Sequence, residues 1–125
     1  MLHAFLIFLG GGAGAVSRHL VGLASLRLFG AGFPVGTMTV NIVGSLLMGL
    51  VIGYLAKRGG NSEIRLLLTT GFLGGFTTFS AFSLDFANLW SRGENFMAIG
   101  YAFSSVILSL GAVFIGMYLM RGSAV

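Results

Sequence analysis

GFLGGFTTFSAFS, residues 71–83, lies within an apolar stretch long enough to cross a bilayer. It nevertheless sets Gly71, Gly74, Gly75, Thr77, Thr78 and Ser80 where lipid favours Leu and Val. Glycine weakens a helix by about 1 kcal/mol relative to alanine, and unsatisfied backbone groups in hydrocarbon cost more still. Such a cluster requires a compensating purpose. One is a break at Gly74-Gly75 that frees carbonyl oxygens to point at a small cation. Broken helices are tolerated at membrane depth where they are buried in protein or line a cavity. Carbonyl oxygens suit a hard ion such as Na⁺ better than a transition metal. The other purpose is close packing of two helices.

The flanking sequence is of the same kind. The chain has 125 residues, 56% hydrophobic and only 8% charged, with a mean hydropathy of +0.98. A soluble domain of this size needs far more charged surface, so these values predict a single integral-membrane domain over 1–125. Absence of cysteine excludes disulfides, thiolate catalysis and cysteine metal sites. The net charge of +4 does not point to nucleic acid. The seven basic residues are scattered at 18, 27, 57, 58, 65, 92 and 121, with no basic face, and fit juxtamembrane charge.

Four apolar blocks, about 2–28, 35–56, 64–90 and 96–120, each reach the roughly 20 residues a spanning helix requires. Short turns rich in glycine and polar residues separate them, and Pro34 fits the first turn of the second helix. In the first block Gly10-x-Gly12-x-x-Ala15 matches a dinucleotide fingerprint formally. No strand–helix alternation follows, and no acidic residue stands about 20 positions on. A signal peptide cleaved after Ala15 is disfavoured by the absence of Lys or Arg ahead of the apolar run. The small residues at 10–15, like Gly49-x-x-x-Gly53 in the second block, instead let another helix approach closely.

With four spans both termini share one side with Lys57, Arg58, Arg65 and Arg121, against Arg27 and Arg92 on the other, and Arg18 within the membrane. A bias this weak would allow insertion either way up, and so an antiparallel homodimer.

Polar residues recur in register inside the spans. Thr37, Asn41 and Ser45 are spaced i, i+4, i+8, as are Tyr101, Ser105 and Ser109. Each trio draws one polar stripe on an apolar helix. Serine and threonine can bond their own i−4 carbonyls, but the Asn41 amide has two strong donors that need partners. Phe72, Phe76, Phe79, Phe82 and Phe86 form one helical stripe interleaved with Ser80 and Ser83. Aromatic rings are positive at the edge, so such a stripe beside hydroxyls can line a narrow anion path; core or lipid packing is the plainer reading. Glu63 and Glu94 fall in loops, leaving Asp85 as the sole carboxylate within a span, and His3 and His19 are too distant in sequence for a local metal pair. No nucleophile–base set, paired carboxylates or phosphate loop is present, and nothing suggests an enzyme.

These residues together resemble the small fluoride channels of the Fluc (CrcB) family: Gly71-x-Leu-Gly-Gly-x-Thr-Thr-Phe-Ser-x-Phe-Ser in the third span, Gly36-Thr-x-Thr-Val-Asn41, and Gly14-Ala-x-x-Arg18. The resemblance covers essentially the whole chain, and its third-span motif is highly specific. It implies an all-α membrane fold, four helices per subunit with the third one broken, in an antiparallel dual-topology homodimer of the bacterial inner membrane. It implies passive export of cytoplasmic fluoride through two pores beside one central structural Na⁺. The main-chain carbonyls of Gly74 and Thr77 from both subunits would hold that Na⁺. Phe79 and Phe82 would present ring edges to fluoride, with Asn41 donating hydrogen bonds in the pore. Tyr101, Ser105 and Ser109 would form a polar track, and Arg18 would lie toward the aqueous vestibule. Ala81 stands where many members carry a further hydroxyl. A small multidrug-resistance-type exchanger, also of four spans, requires a carboxylate deep in its first helix, where this chain has Arg18 and no acid.

Overall fold

The structure, a computed structural model, describes residues 1–121, with only the backbone of Arg121; the Arg121 charge used in the orientation argument lies outside the described residues. All its regular elements are helical. Helix α1 spans Leu2–Phe29 and α2 spans Val35–Arg58. A third span, Ser62–Ser91, is assembled from pieces: α3 (Ser62–Arg65), a π-helical segment (Leu66–Leu73), α4 (Gly74–Phe76) and α5 (Phe79–Ser91). Helix α6, Asn95–Arg121, completes the chain. Four helical units are long and apolar enough to cross a membrane, within a few residues of the sequence-predicted spans. The protein is therefore a multi-pass membrane protein.

Local chemistry accounts for the ends. Glycines with positive φ stop α1 and α2: Gly30 (φ 77°) and Gly59 (φ 74°) each turn an amide back to a carbonyl of the last turn. Asn61 opens the third span by accepting from the Ile64 amide at 2.8 Å. Pro34 stands just ahead of α2, at its cap rather than in its first turn as expected.

Glycine sets how closely the helices approach. A Cβ on Gly49 would strike the Val113 carbonyl, and one on Gly116 would strike the Leu46 carbonyl, so α2 and α6 pack backbone to backbone. A Cβ on Gly10 would come within 2.9 Å of the Phe72 amide, and one on Gly14 within 2.8 Å of the Phe76 amide. The glycine stripe of α1 thus seats the first half of the third span, as the small-residue reading predicts. Tyr101, Leu89 and Ala98 form a fully buried cluster, with Phe33, Phe82 and Phe86 packed on it.

The third helix breaks, but not at its glycine pair. Gly74 is helical (φ −62°, ψ −37°), while Thr77 (φ −87°, ψ 158°) and Thr78 (φ −155°, ψ 121°) are extended. A Cβ on Gly75 would strike the Gly11 carbonyl, so that glycine serves close packing instead. The break also resets the helical phase, and the five phenylalanines do not form one stripe. Phe72 and Phe76 stack on each other (centroids 5.8 Å apart) ahead of it, and Phe79 and Phe82 pair (5.5 Å) beyond it.

Candidate functional site

Two extended residues in a membrane-spanning helix expose backbone groups that must find partners. Asn41, on α2, supplies them. Its Nδ2 donates to the Thr78 carbonyl at 3.0 Å, and its Oδ1 accepts from the Thr78 amide at 2.8 Å. This two-bond clamp imitates a strand partner and fixes the orientation of the amide. One Nδ2 hydrogen is left over. Thr78 then caps α5, its Oγ1 accepting from the Ala81 amide at 3.0 Å. The Thr77 amide and hydroxyl both turn back to the Leu73 carbonyl, and Arg18 Nε donates to the Gly75 carbonyl at 3.0 Å. Among the described residues, no hydrogen bond reaches the carbonyl of Gly74 or Thr77.

A cavity of about 380 Å³ opens beside the break between α2, α5 and α6. Asn41 and Ser45 border it from α2, Thr77 and Thr78 from the break, Phe79 and Phe82 from α5, and Ser105 and Ser109 from α6. The Ser105 and Ser109 Oγ atoms are buried and bond to nothing. Helical serine normally returns its hydroxyl to the i−4 carbonyl, as Ser17 and Ser83 do here. Two buried hydroxyls beside one cavity lack partners, and a χ1 rotation toward the cavity would let a small polar guest satisfy them. Phe79 stands 77% exposed on the surface of the chain, beside the cavity.

Tyr101 is placed differently. It sits fully buried beneath the wall, with its hydroxyl donating to Asp85 Oδ2 at 3.2 Å and its ring 5.1 Å from that of Phe82. A second cavity, about 320 Å³, lies between α1, α2 and the start of α5, where Arg18, His19, Thr37, Val40 and Ala81 are among its borders. Thr78 borders both cavities, which lie on either side of the break.

Of the residues expected to form a site, the structure brings Asn41, Thr77, Phe79, Phe82, Ser105 and Ser109 around one space. Arg18 lies across the break from it, Tyr101 behind Phe82, and Gly74 outside both cavity walls. Thr78, which borders both cavities and caps α5, is absent from the residues that the sequence marks as a site. A threonine directly ahead of an amphipathic run is a helix-start signal, and that signal was available. The Tyr101–Asp85 and Arg18–Gly75 contacts join residues 16 and 57 positions apart, and no local pattern announces them.

Proteins of known name match this chain over nearly its whole length. The fluoride-specific ion channel FluC of Mesorhizobium japonicum is 55% identical over 121 residues, 97% of this chain and 98% of the relative. Similar proteins of the same name occur in Rhodopseudomonas palustris (50% identity, 93% of this chain and 94% of the relative) and Paracoccus denitrificans (52% identity, 98% of each). The family model described as CrcB-like protein, Camphor Resistance, matches residues 5–117. With nearly its whole length matched in this way, the chain belongs to the CrcB family.

Proposed function

We propose that two copies of this chain, inserted antiparallel, form a channel that lets fluoride leave the cell passively. The observation that carries the reading is the wall holding the unpaired Ser105 and Ser109 hydroxyls beside Phe79 and Phe82. The printed name of the relatives supplies the ion.

Moving a small anion from water into a low-dielectric site costs tens of kcal/mol, on the order of the Born energy, unless protein donors replace its hydration. Hydroxyls, the spare Asn41 hydrogen and aromatic ring edges supply partial positive charge without a full cation that would trap the ion. Conduction needs this balance, because a site must admit the ion and also release it. Tyr101, through its contact with Phe82, extends the polar track behind the ring, and Arg18 marks the vestibule. Net outward flow follows from the chemistry of a weak acid that crosses lipid as HF and dissociates inside.

The carbonyls of Gly74 and Thr77, free of hydrogen bonds, fit a structural Na⁺ shared with the same pair of a second copy. Bound there, Na⁺ supplies a fixed positive charge beside the pore. A second copy would also cover Phe79, which one subunit leaves exposed.

The test is fluoride efflux from proteoliposomes, followed with an electrode and run without any proton gradient. Wild-type vesicles should empty passively. Phe79→Ile should assemble normally and slow efflux about tenfold, the equivalent of roughly 1.4 kcal/mol of ion stabilisation. Vesicles that retain fluoride, or that lose it only when a proton gradient is imposed, would overturn the reading.

A further inference from the structure

The two ends of the molecule differ in what their cations do. At one end Arg92 is engaged by the Gly32 carbonyl at 2.9 Å and by Glu94 at 3.0 Å. At the other, Lys57 and Arg58 close α2 and Arg65 closes α3, all three exposed. None of these three makes a side-chain hydrogen bond or ion pair among the described residues. Glu63, the one carboxylate of this loop, faces His3 at 3.3 Å. With Glu63 counted in full, residues 57–65 still carry a net charge of +2. We propose that Lys57, Arg58 and Arg65 form a docking surface for the headgroup of an anionic phospholipid.

The surroundings favour a lipid over a free anion. Tyr54 on α2 and Tyr118 on α6 are 48% and 64% exposed. Their helices approach closely here, since a Cβ on Gly53 would come within 3.1 Å of the Met117 carbonyl. Tyrosine concentrates at the membrane–water interface, with its ring toward the acyl chains and its hydroxyl among headgroups. Lys57 and Arg58 follow Tyr54 by three and four residues, about 4.5–6 Å farther along the helix axis. That rise carries both charges from the tyrosine level to the phosphate level, while their apolar stems lie against the chains below. Phe5 and Phe8 are exposed on the end of α1 that His3 joins to Glu63, and they extend the apolar band. A free phosphate gains nothing from such a band.

Three like charges in one short loop repel, and a phosphodiester between them relieves the repulsion. The loop also joins α2, whose Asn41 clamps the break, to the span that breaks, so a shared headgroup ties their ends together. Each Lys or Arg near an anionic surface strengthens attachment about fivefold, so three amount to about a hundredfold. In an antiparallel dimer each face of the membrane would receive one such loop. The surface does not depend on which ion the protein passes.

The experiment counts lipids retained by the detergent-solubilised full chain in native mass spectrometry, with phosphatidylglycerol and zwitterionic phosphatidylcholine offered equally. Wild type should retain phosphatidylglycerol in preference, and lose it as salt rises from about 50 mM to about 500 mM. The triple variant Lys57→Gln, Arg58→Gln, Arg65→Gln should retain about a hundredfold less, and each single variant about fivefold less. Arg27→Gln, which removes the exposed cation in the last turn of α1 at the opposite end, should match wild type. In nanodiscs, phosphatidylglycerol should raise the melting temperature of wild type and leave that of the triple variant unchanged. The single variants carry the test if the triple variant does not fold. Equal retention of the two lipids by wild type, variants that hold phosphatidylglycerol as well as wild type, or an equal loss in Arg27→Gln would each overturn the proposal. Complete displacement of the lipid by inorganic phosphate would assign the loop to a free anion and overturn it as well.

Discussion

A buried hydroxyl without a partner ordinarily weakens a fold, which makes Ser105 the most informative single residue of the cavity wall. The residue is 5% exposed, and its Oγ bonds to nothing among the described residues. Desolvating a hydroxyl without compensation costs about 1–3 kcal/mol, so Ser105→Ala should leave stability unchanged or raise it by about 1 kcal/mol. If the hydroxyl serves a passing anion, the same substitution should slow fluoride efflux. A variant that is more stable and equally conductive would make Ser105 a packing residue. Asn41 poses the opposite case, because its amide already holds the break. Asn41→Asp keeps an acceptor for the Thr78 amide but loses the donor to the Thr78 carbonyl, and sets a carboxylate against that oxygen. It should lower the melting temperature and nearly abolish efflux together. Wild-type flux from Asn41→Asp would remove the amide from the pore.

Gly75 carries the argument at the level of elements. A Cβ there would meet the Gly11 carbonyl, with the Gly11 Cα only 3.0 Å away, and neither backbone atom can yield as a side chain would. Gly75→Val should therefore cost more than the roughly 1–3 kcal/mol of ordinary overpacking, with the loss seen as aggregated or absent protein. Recovery of folded, conducting Gly75→Val would mean that α1 and the third span do not need this approach. The spans themselves were legible in the residues, because about 20 apolar residues between glycine-marked turns admit little else. A break within residues 71–78 was legible too, but not its exact position. Gly74-Gly75 has the composition of a hinge yet stays helical, while Thr77 and Thr78 unwind because Asn41, 37 positions earlier, takes over the Thr78 backbone. A stripe counted through Phe72–Phe86 assumes one continuous helix, and the break invalidates the count. The π-helical turns ahead of it are equally hidden. There Thr69 Oγ1 takes the Arg65 carbonyl at 2.7 Å, the group an α-turn would offer to the Thr69 amide.

At the scale of the whole molecule, the open question is how the carbonyls of Gly74 and Thr77 are satisfied. Leaving such groups bare in a membrane costs several kcal/mol each, on the order of a lost hydrogen bond in hydrocarbon, so a partner is required. Two copies related by a two-fold axis would bring four carbonyl oxygens together. Their partial charges suit Na⁺, whereas Mg²⁺ gives up its water reluctantly and demands octahedral geometry. If both chains contribute, such an ion would favour the dimer by linkage, by about 2.7 kcal/mol at a concentration one hundred times its dissociation constant. Thr77→Ala should be mild: the main-chain oxygen survives, and only the hydroxyl bond to Leu73 and the methyl packed on Gly44 are lost. Exhaustive exchange into Na⁺-free medium should instead lower the dimer fraction measured by light scattering and lower fluoride flux with it, both recovering when Na⁺ is restored. A crystal structure should show the ion on the two-fold axis. A dimer equally stable and conductive after that exchange, with no density on the axis, would mean that the freed carbonyls of the third span are satisfied without a cation.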